Sequence, residues 1–265
     1  MTEETKLAYI DQGNGETLVL VHGFCGSSGY WEKVIPELTD NFRIIAIDIQ
    51  GHGKSPIMSE TFQIEDLADD ICSLLDRLSV GKVFMFGHSL GGYITLAFAE
   101  KYQNMLKGAG LVHSTANPDS EEAKTGRTNS IAAIREKGIQ RFVDTLIPKL
   151  FANADDPETA YKVAKAKEIG YGTNADAAIA ALEAMKNRKD RNEILRNSAV
   201  PFLLIAGAED KVVSPDKTFS AKADHIQEVL VEDCGHIGML EQPQIIAETL
   251  KQFVLSTLES TMFQE

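Results

Sequence analysis

Positive charge is in short supply in this sequence. Its 26 lysines and arginines stand against 39 aspartates and glutamates, a formal net charge of −13 over 265 residues. Such a surface repels phosphate backbones and anionic headgroups, which argues against nucleic acid and membrane surfaces as partners. Cysteine is scarce as well. Cys25, Cys72 and Cys234 are an odd, widely spaced set without a CxxC. Neither a disulfide framework nor a zinc site is therefore expected, and a reducing, cytoplasmic setting fits. No run approaches the roughly 18 apolar residues needed to span a bilayer. The opening residues Met1 to Lys6 have neither the basic nor the apolar region of a signal peptide. The glycine-rich stretch Asp48 to Ser55 lacks the GxxxxGK[ST] spacing of a phosphate cradle and reads as a tight loop. What remains is an ordinary globular composition, 43% hydrophobic and 25% charged, in a chain long enough for one large core.

Short apolar runs alternate with segments of helical period. Lys6 to Ile10, Thr17 to His22, Arg43 to Asp48, Lys82 to Gly87, Leu106 to Val112, Pro201 to Ala206 and Ile226 to Val231 read as strands. Most of them lack strict polar alternation, as befits strands of a parallel sheet buried on both faces. Tyr30 to Leu38, Phe62 to Leu78, Ser89 to Tyr102, Pro215 to Ala223 and Pro243 to Leu258 read as helices. The β-α alternation predicts a doubly wound α/β sheet. Residues 114–192 break the rhythm: they hold no clear strand, are punctuated at Asn117-Pro118, Asp155 to Pro157 and Gly172 to Asn174, and read as several helices. The expected organisation is a core of residues 1–113 and 193–265 interrupted by a helical lid at 114–192.

Four loops carry chemistry. Gly87-His88-Ser89-Leu90-Gly91 is a G-x-S-x-G that follows a buried strand and opens a helix, the context of a nucleophile elbow. Small residues at 87 and 91 admit the strained turn, and Ser89 stands at a helix N-terminus. His22-Gly23-Phe24 ends an earlier strand, in a position to offer a backbone N–H to an oxyanion. Gly207 to Asp210 and Asp233 to His236 each follow a later strand. A serine hydroxyl needs an imidazole to take its proton, and the imidazole needs a carboxylate to fix its tautomer. Ser89, His236 and Asp210 supply that set, all just past the carboxyl ends of strands. Asp210 is preferred to the adjacent Glu209, His22 is read as shaping its loop, and Asp233 as a turn residue. His52, His88, His113 and His225 have no evident partner in the sequence.

These residues, with Asp48 to Ser55 and Gly92, resemble the α/β-hydrolase superfamily over essentially the whole chain. Within it the sequence looks most like small bacterial carboxylesterases, 3-oxoadipate enol-lactonases and cofactor-free perhydrolases. Met185 to Asp190 is similar to a lid segment of the lactonase-like members. The resemblance implies a mostly parallel sheet of seven or eight strands, the chain order Ser89, Asp210, His236, an oxyanion hole of the Phe24 and Leu90 N–H groups, and no cofactor or metal. Serine at the elbow argues against the relatives that attack with a carboxylate.

The expected activity is hydrolysis of a small carboxylic ester, lactone or thioester through an acyl-enzyme on Ser89. Alternatives on the same scaffold are C–C hydrolysis, lyase or perhydrolase chemistry, or a small-molecule sensor that retains the triad; only the sensor would call for a protein partner. The lid carries Phe142, Leu146, Leu150, Phe151, Ile179 and Leu182; some of these are expected to pack on the sheet domain, and a subset to line a mostly apolar pocket suited to short or medium acyl groups.

Overall fold

A computed structural model describes residues 7–262; Met1 to Lys6, on which the reading of the N-terminal segment and the first residue of the opening strand rest, lie outside the described residues. Seven strands, β1 (Tyr9–Gln12), β2 (Glu16–Val21), β3 (Phe42–Ile47), β4 (Val83–His88), β5 (Leu106–Val112), β6 (Phe202–Gly207) and β7 (Ile226–Val231), form one sheet in the order β1-β3-β2-β4-β5-β6-β7. All neighbours run parallel except β1, which pairs antiparallel with β3. Opposite faces of one strand feed opposite cores. Leu18 and Leu20 pack in the layer holding Trp31, Leu38, Leu250 and Phe253, while Val19 and Val21 pack with Leu67, Ile71, Ile94 and Phe98. That two-sided burial is why the strands read as continuous apolar runs.

On one face lie α1 (Ile35–Leu38) and α10 (Pro243–Met262); on the other lie α2 (Ile64–Arg77) and α3 (Leu90–Tyr102). Helix α2 buries Ile64, Leu67, Ala68, Ile71, Leu74 and Leu75, a one-sided stripe at helical spacing. Its start is fixed where the Gln63 N–H donates to Asp66 Oδ2 at 2.7 Å. Helix α3 is buried almost all round because it fills the space between the sheet and its neighbours.

Two expected helices are shorter than their patterns suggest. Tyr30 to Leu38 divides into a 3₁₀ turn, Ser28–Trp31, and α1. Pro36, with no N–H and a ring that crowds the preceding turn, permits only a new start there. Pro215 to Ala223 yields only α8 (Pro215–Thr218), since few apolar residues follow to anchor further turns.

Between β5 and β6 no strand occurs; the chain forms α4 (Glu121–Leu146), α5 (Ala160–Tyr171), α6 (Ala175–Lys186) and α7 (Asn192–Arg196). Ser120 caps α4 by accepting from the Ala123 N–H, and Gly138, at φ 78°, breaks the helix. Asn174 caps α6 through the Asp176 and Ala177 N–H groups. The alanines of α6 allow a close approach to the Asp48–Ser55 loop: a Cβ on Gly51 would stand 2.0 Å from that of Ala177. Two short elements complete the fold's order, α8 after β6 and α9 (Gly238–Glu241) after β7.

Candidate active site

The chain leaves β2 toward β3 on one side and leaves β4 toward β5 on the other, so a crevice opens between the carboxyl ends of β2 and β4, where Val21 pairs with Gly87. Ser89 sits there at the turn into α3, with φ 50° and ψ −112°, a conformation costly for a residue with a side chain. The turn exists because its neighbours are glycines. A Cβ on Gly87 would meet the Gly91 carbonyl at 2.1 Å, and one on Gly91 would meet that of Val21 at 2.3 Å. The backbone is further tied by Ser89 N–H donating to Val112 O at 3.0 Å and by Ser114 Oγ donating to Ser89 O at 2.7 Å.

Ser89 Oγ lies 2.9 Å from His236 Nε2, and His236 Nδ1 lies 2.8 Å from Asp210 Oδ2. With the carboxylate accepting from Nδ1–H, Nε2 is left to accept the serine proton. Asp210 Oδ1 accepts from the Val212 and Val213 N–H groups at 2.8 and 2.9 Å, which fixes the carboxylate itself. Burial pushes the Asp210 carboxyl up, but the charge of His236 and the hydrogen bonds from His236 and Val213 outweigh it, and the pKa lies below the ordinary value. Glu209, by contrast, is exposed. Phe24 lines the same cavity as the serine from the loop after β2, Leu90 follows the serine as the first residue of α3, and among the described residues neither N–H donates a hydrogen bond. Gly23 lets the first loop come close: its Cβ would stand 3.1 Å from Ser89 Cβ.

His22 holds the β2 loop. Its Nε2 accepts from the Ile49 N–H at 3.1 Å, so Nδ1 carries the proton and donates to Gly23 O at 2.7 Å. Asp48 draws in the neighbouring loop by accepting from the Ser28 and Lys54 N–H groups. Asp233 is exposed, at φ 50°. His225 meets Leu195 O at 3.0 Å, far along the sheet from the serine. Cys25, Cys72 and Cys234 are buried free thiols, and burial drives those of Cys25 and Cys234 well above the usual range.

Sequence reasoning left His88, His113 and His52 without partners, and the structure assembles them around His236 and Phe24. His88 Nε2 donates to the His236 carbonyl at 2.8 Å, while the His236 N–H donates to Leu150 O at 2.7 Å. The histidine backbone is thus held from both ends. His113 is fully buried, 3.9 Å from Asp210 Oδ2, and His52 meets the edge of Phe24. Burial, reinforced by repulsion from neighbouring histidines (His22 for His52, His236 for His113 and His88), pushes His113 and His52 down to about 3 and His88 well below the ordinary value, so all three are neutral. A signal existed: five of the six histidines fall at or close after the carboxyl end of a strand.

A cavity of about 360 Å³ opens above Ser89. Leu146 and Leu150 line it as expected, and Phe142 packs edge-on against Phe24 at 6.0 Å. Phe151 and Leu182 are buried in the cores and Ile179 packs against one of them. The wall is more polar than the sequence suggested, because Asn117, Asp119, Arg127, Arg188 and Lys217 also face it. Among the described residues no group of three metal-ligating side chains stands together, and no helix is long and apolar enough to cross a membrane.

A family model described as "alpha/beta hydrolase fold" matches residues 16–243. A thermophilic esterase from Thermogutta terrifontis, solved with malate bound, is 30% identical and superposes with a TM-score of 0.90 over 95% of this chain and 93% of its own. A 2-(acetamidomethylene)succinate hydrolase of Mesorhizobium japonicum is 26% identical across 92% of this chain and 90% of its own length. A 3-oxoadipate enol-lactonase of Acinetobacter baylyi is 24% identical, again across 92% and 90%.

Proposed function

Since the chain belongs to the α/β-hydrolase fold family, we propose that it is a serine hydrolase that cleaves a small carboxylic ester, lactone or thioester through an acyl-enzyme on Ser89. The observation that carries this reading is the unbroken line from Ser89 Oγ through His236, at 2.9 Å, to Asp210, at 2.8 Å, beside two undonated N–H groups. In the first step Ser89 Oγ bonds to the substrate carbonyl carbon as His236 Nε2 takes its proton. The oxyanion accepts from the Phe24 and Leu90 N–H groups. The bond to the leaving alcohol or thiol breaks, and His236 returns the proton to it. A water then gives its proton to His236 and attacks the acyl carbon; collapse releases the acid and restores Ser89. Asp210 holds the imidazole tautomer throughout. Relatives named esterase, lactonase and hydrolase of a substituted succinate support this chemistry. The helical segment at 114–192 acts as a lid that sets substrate choice, since its Leu146 and Leu150 roof the cavity.

The test is a panel of short nitrophenyl esters, lactones and thioesters assayed with wild type and Ser89→Ala, with a small organophosphate as a mass label. Turnover and a single adduct on Ser89 in the wild type, both missing from Ser89→Ala, are expected. Full activity in a folded Ser89→Ala sample would reject the reading.

A further inference from the structure

The charge of the cavity is opposite to that of the molecule. On a chain of net charge −13, the wall above Ser89 carries three cations, Arg127, Arg188 and Lys217, and one carboxylate, Asp119. Asp119 is nearly enclosed, its side chain 4% exposed, and is shared: Arg188 Nη1 donates to Oδ1, and Arg127 Nε donates to Oδ2 at 3.1 Å. One arginine suffices to neutralise it. Arg188 is already placed without the other: its guanidinium lies 4.1 Å above the Tyr93 ring, with Nε donating to Asn117 O and Nη1 to Met185 O. Arg127 and Lys217 are then surplus. Among the described residues Lys217 forms no ion pair, and neither Arg127 Nη atom nor Arg188 Nη2 donates a hydrogen bond. Three sets of unspent donors, from α4, from the end of α6 and from α8, thus converge on one cavity.

A clamp for a lid would balance its charges. A cavity wall left with two extra positive charges and idle N–H donors has the chemistry of a carboxylate receptor. We propose that this wall is an anion subsite, and that the substrate cleaved at Ser89 is an ester or lactone carrying a free carboxylate. The proposal rests on the hydrolase reading and narrows it. Arg127 and Arg188 line the cavity with their guanidinium groups held by Asp119, so the charge that meets the anion is preorganised, while exposed Lys217 adds a further charge. The acidic exterior slows the approach of an anion, so the local field of the subsite must recover the affinity, and that field weakens with salt.

The experiment compares matched substrates. On the acyl side, the mono-4-nitrophenyl ester of glutaric acid is set against 4-nitrophenyl 5-oxohexanoate, in which a methyl ketone replaces the carboxylate. On the alcohol side, 3-acetoxybenzoate is set against 3-acetoxyacetophenone. Each kcat/KM ratio is measured for wild type, Arg127→Gln and Lys217→Gln. In at least one arm the anionic ester should be preferred tenfold or more at low salt. That preference should fall about tenfold in each variant, the equivalent of about 1.4 kcal/mol. It should also shrink at high salt. Equal or better turnover of the neutral ester in both arms overturns the subsite while leaving the hydrolase reading intact. A preference that survives in both variants overturns it too. If neither member of any pair is cleaved, the hydrolase reading fails, and the subsite is read separately by calorimetry on Ser89→Ala. Glutarate binding that weakens in the Lys217→Gln background supports it, and glutarate binding no better than glutaramide removes it.

Discussion

The carboxyl edge of the sheet and the helical segment above it are built by different forces. At the sheet edge, each proposed reactive side chain follows a strand, β4 and β6 buried on both faces and β7 at the exposed border of the sheet, and its loop is pinned by backbone hydrogen bonds. Gly87 and Gly91 leave Ser89 one conformation, and Val212 and Val213 leave Asp210 one carboxylate orientation. In the helical segment α6 packs into the core through residues such as Ala181, Leu182 and Met185, but the long α4 buries little, chiefly Ile131, Ile134 and Val143, and polar contacts add to the segment's hold. Arg188 and Arg127 share Asp119, Arg191 spans Glu65 and Glu100, and Leu150 O and the Ala152 N–H meet His236 and Glu241. Apolar packing is tolerant of sequence and rigid in geometry. Polar ties are specific and can be exchanged one at a time. A rigid reacting edge under a retunable roof suits a scaffold whose substrate can change without its chemistry changing.

The sharpest way to break this division is at the edge itself. Ser89→Ala and Asp210→Asn should each lower kcat at least ~10³-fold for every substrate, anionic or neutral, because the group acts as a unit. Steady-state kinetics on folded samples checks this; a loss confined to one substrate class would place Ser89 or Asp210 in selectivity rather than chemistry. A smaller effect is expected where the two regions meet. His88→Phe keeps the ring packed against Tyr30 but removes the donor to the His236 carbonyl. Leaving that carbonyl unpaired costs about 1–3 kcal/mol, and if the cost falls on His236 orientation kcat drops roughly 5–150-fold with KM little changed. Loss of thermal stability alone, with kcat intact, would make His88 a packing residue only.

In the roof, Asp119→Asn leaves Arg188 buried without its counter-ion. A loss of roughly 3 kcal/mol is expected, a fall in Tm of about 6–12 °C by calorimetry. An unchanged Tm would mean that the segment is not held by this pair. The smallest effect lies on α2, outside the cavity. Burial, with repulsion from Asp66 and Asp69, raises half-buried Asp70 to about 6, against a hydrogen bond from Gln50 that lowers it. Folding then binds a proton between about pH 4 and 6, so this group's contribution is full below that window and is lost as pH rises through 6. Asp70→Asn should match wild type near pH 4 and exceed it at pH 7.5 by about 2–4 °C in Tm, its partial exposure limiting the gain. A gain equal at both pH values would be inconsistent with that titration.

Much of the sheet was legible because its signals are local. Strands Leu106–Val112 and Ile226–Val231 were read to the residue, and the others to within one to three. Seven strands stand where seven or eight were expected. The helices failed where a local pattern was interrupted by one residue, as at Pro36, or lacked apolar anchors, as beyond Thr218. At the site, Gly87 to Gly91, Asp210 and His236 were each visible beside a strand end. The histidines around them were visible too, but as isolated letters.

By itself the sequence determined the periodicities, the glycines of the elbow and the order in which Ser89, Asp210 and His236 leave their strands, since each depends on neighbours a few positions away. Only the tertiary structure decided that His88 would hold His236 from 148 positions away. Only it brought Asp119, Arg127, Arg188 and Lys217 to one cavity. In the sequence those four are charges among many, to be counted as solvated surface. Whether a charge faces water or a cavity depends on which helices cross above the sheet, and that is settled by packing between distant segments rather than by any local pattern.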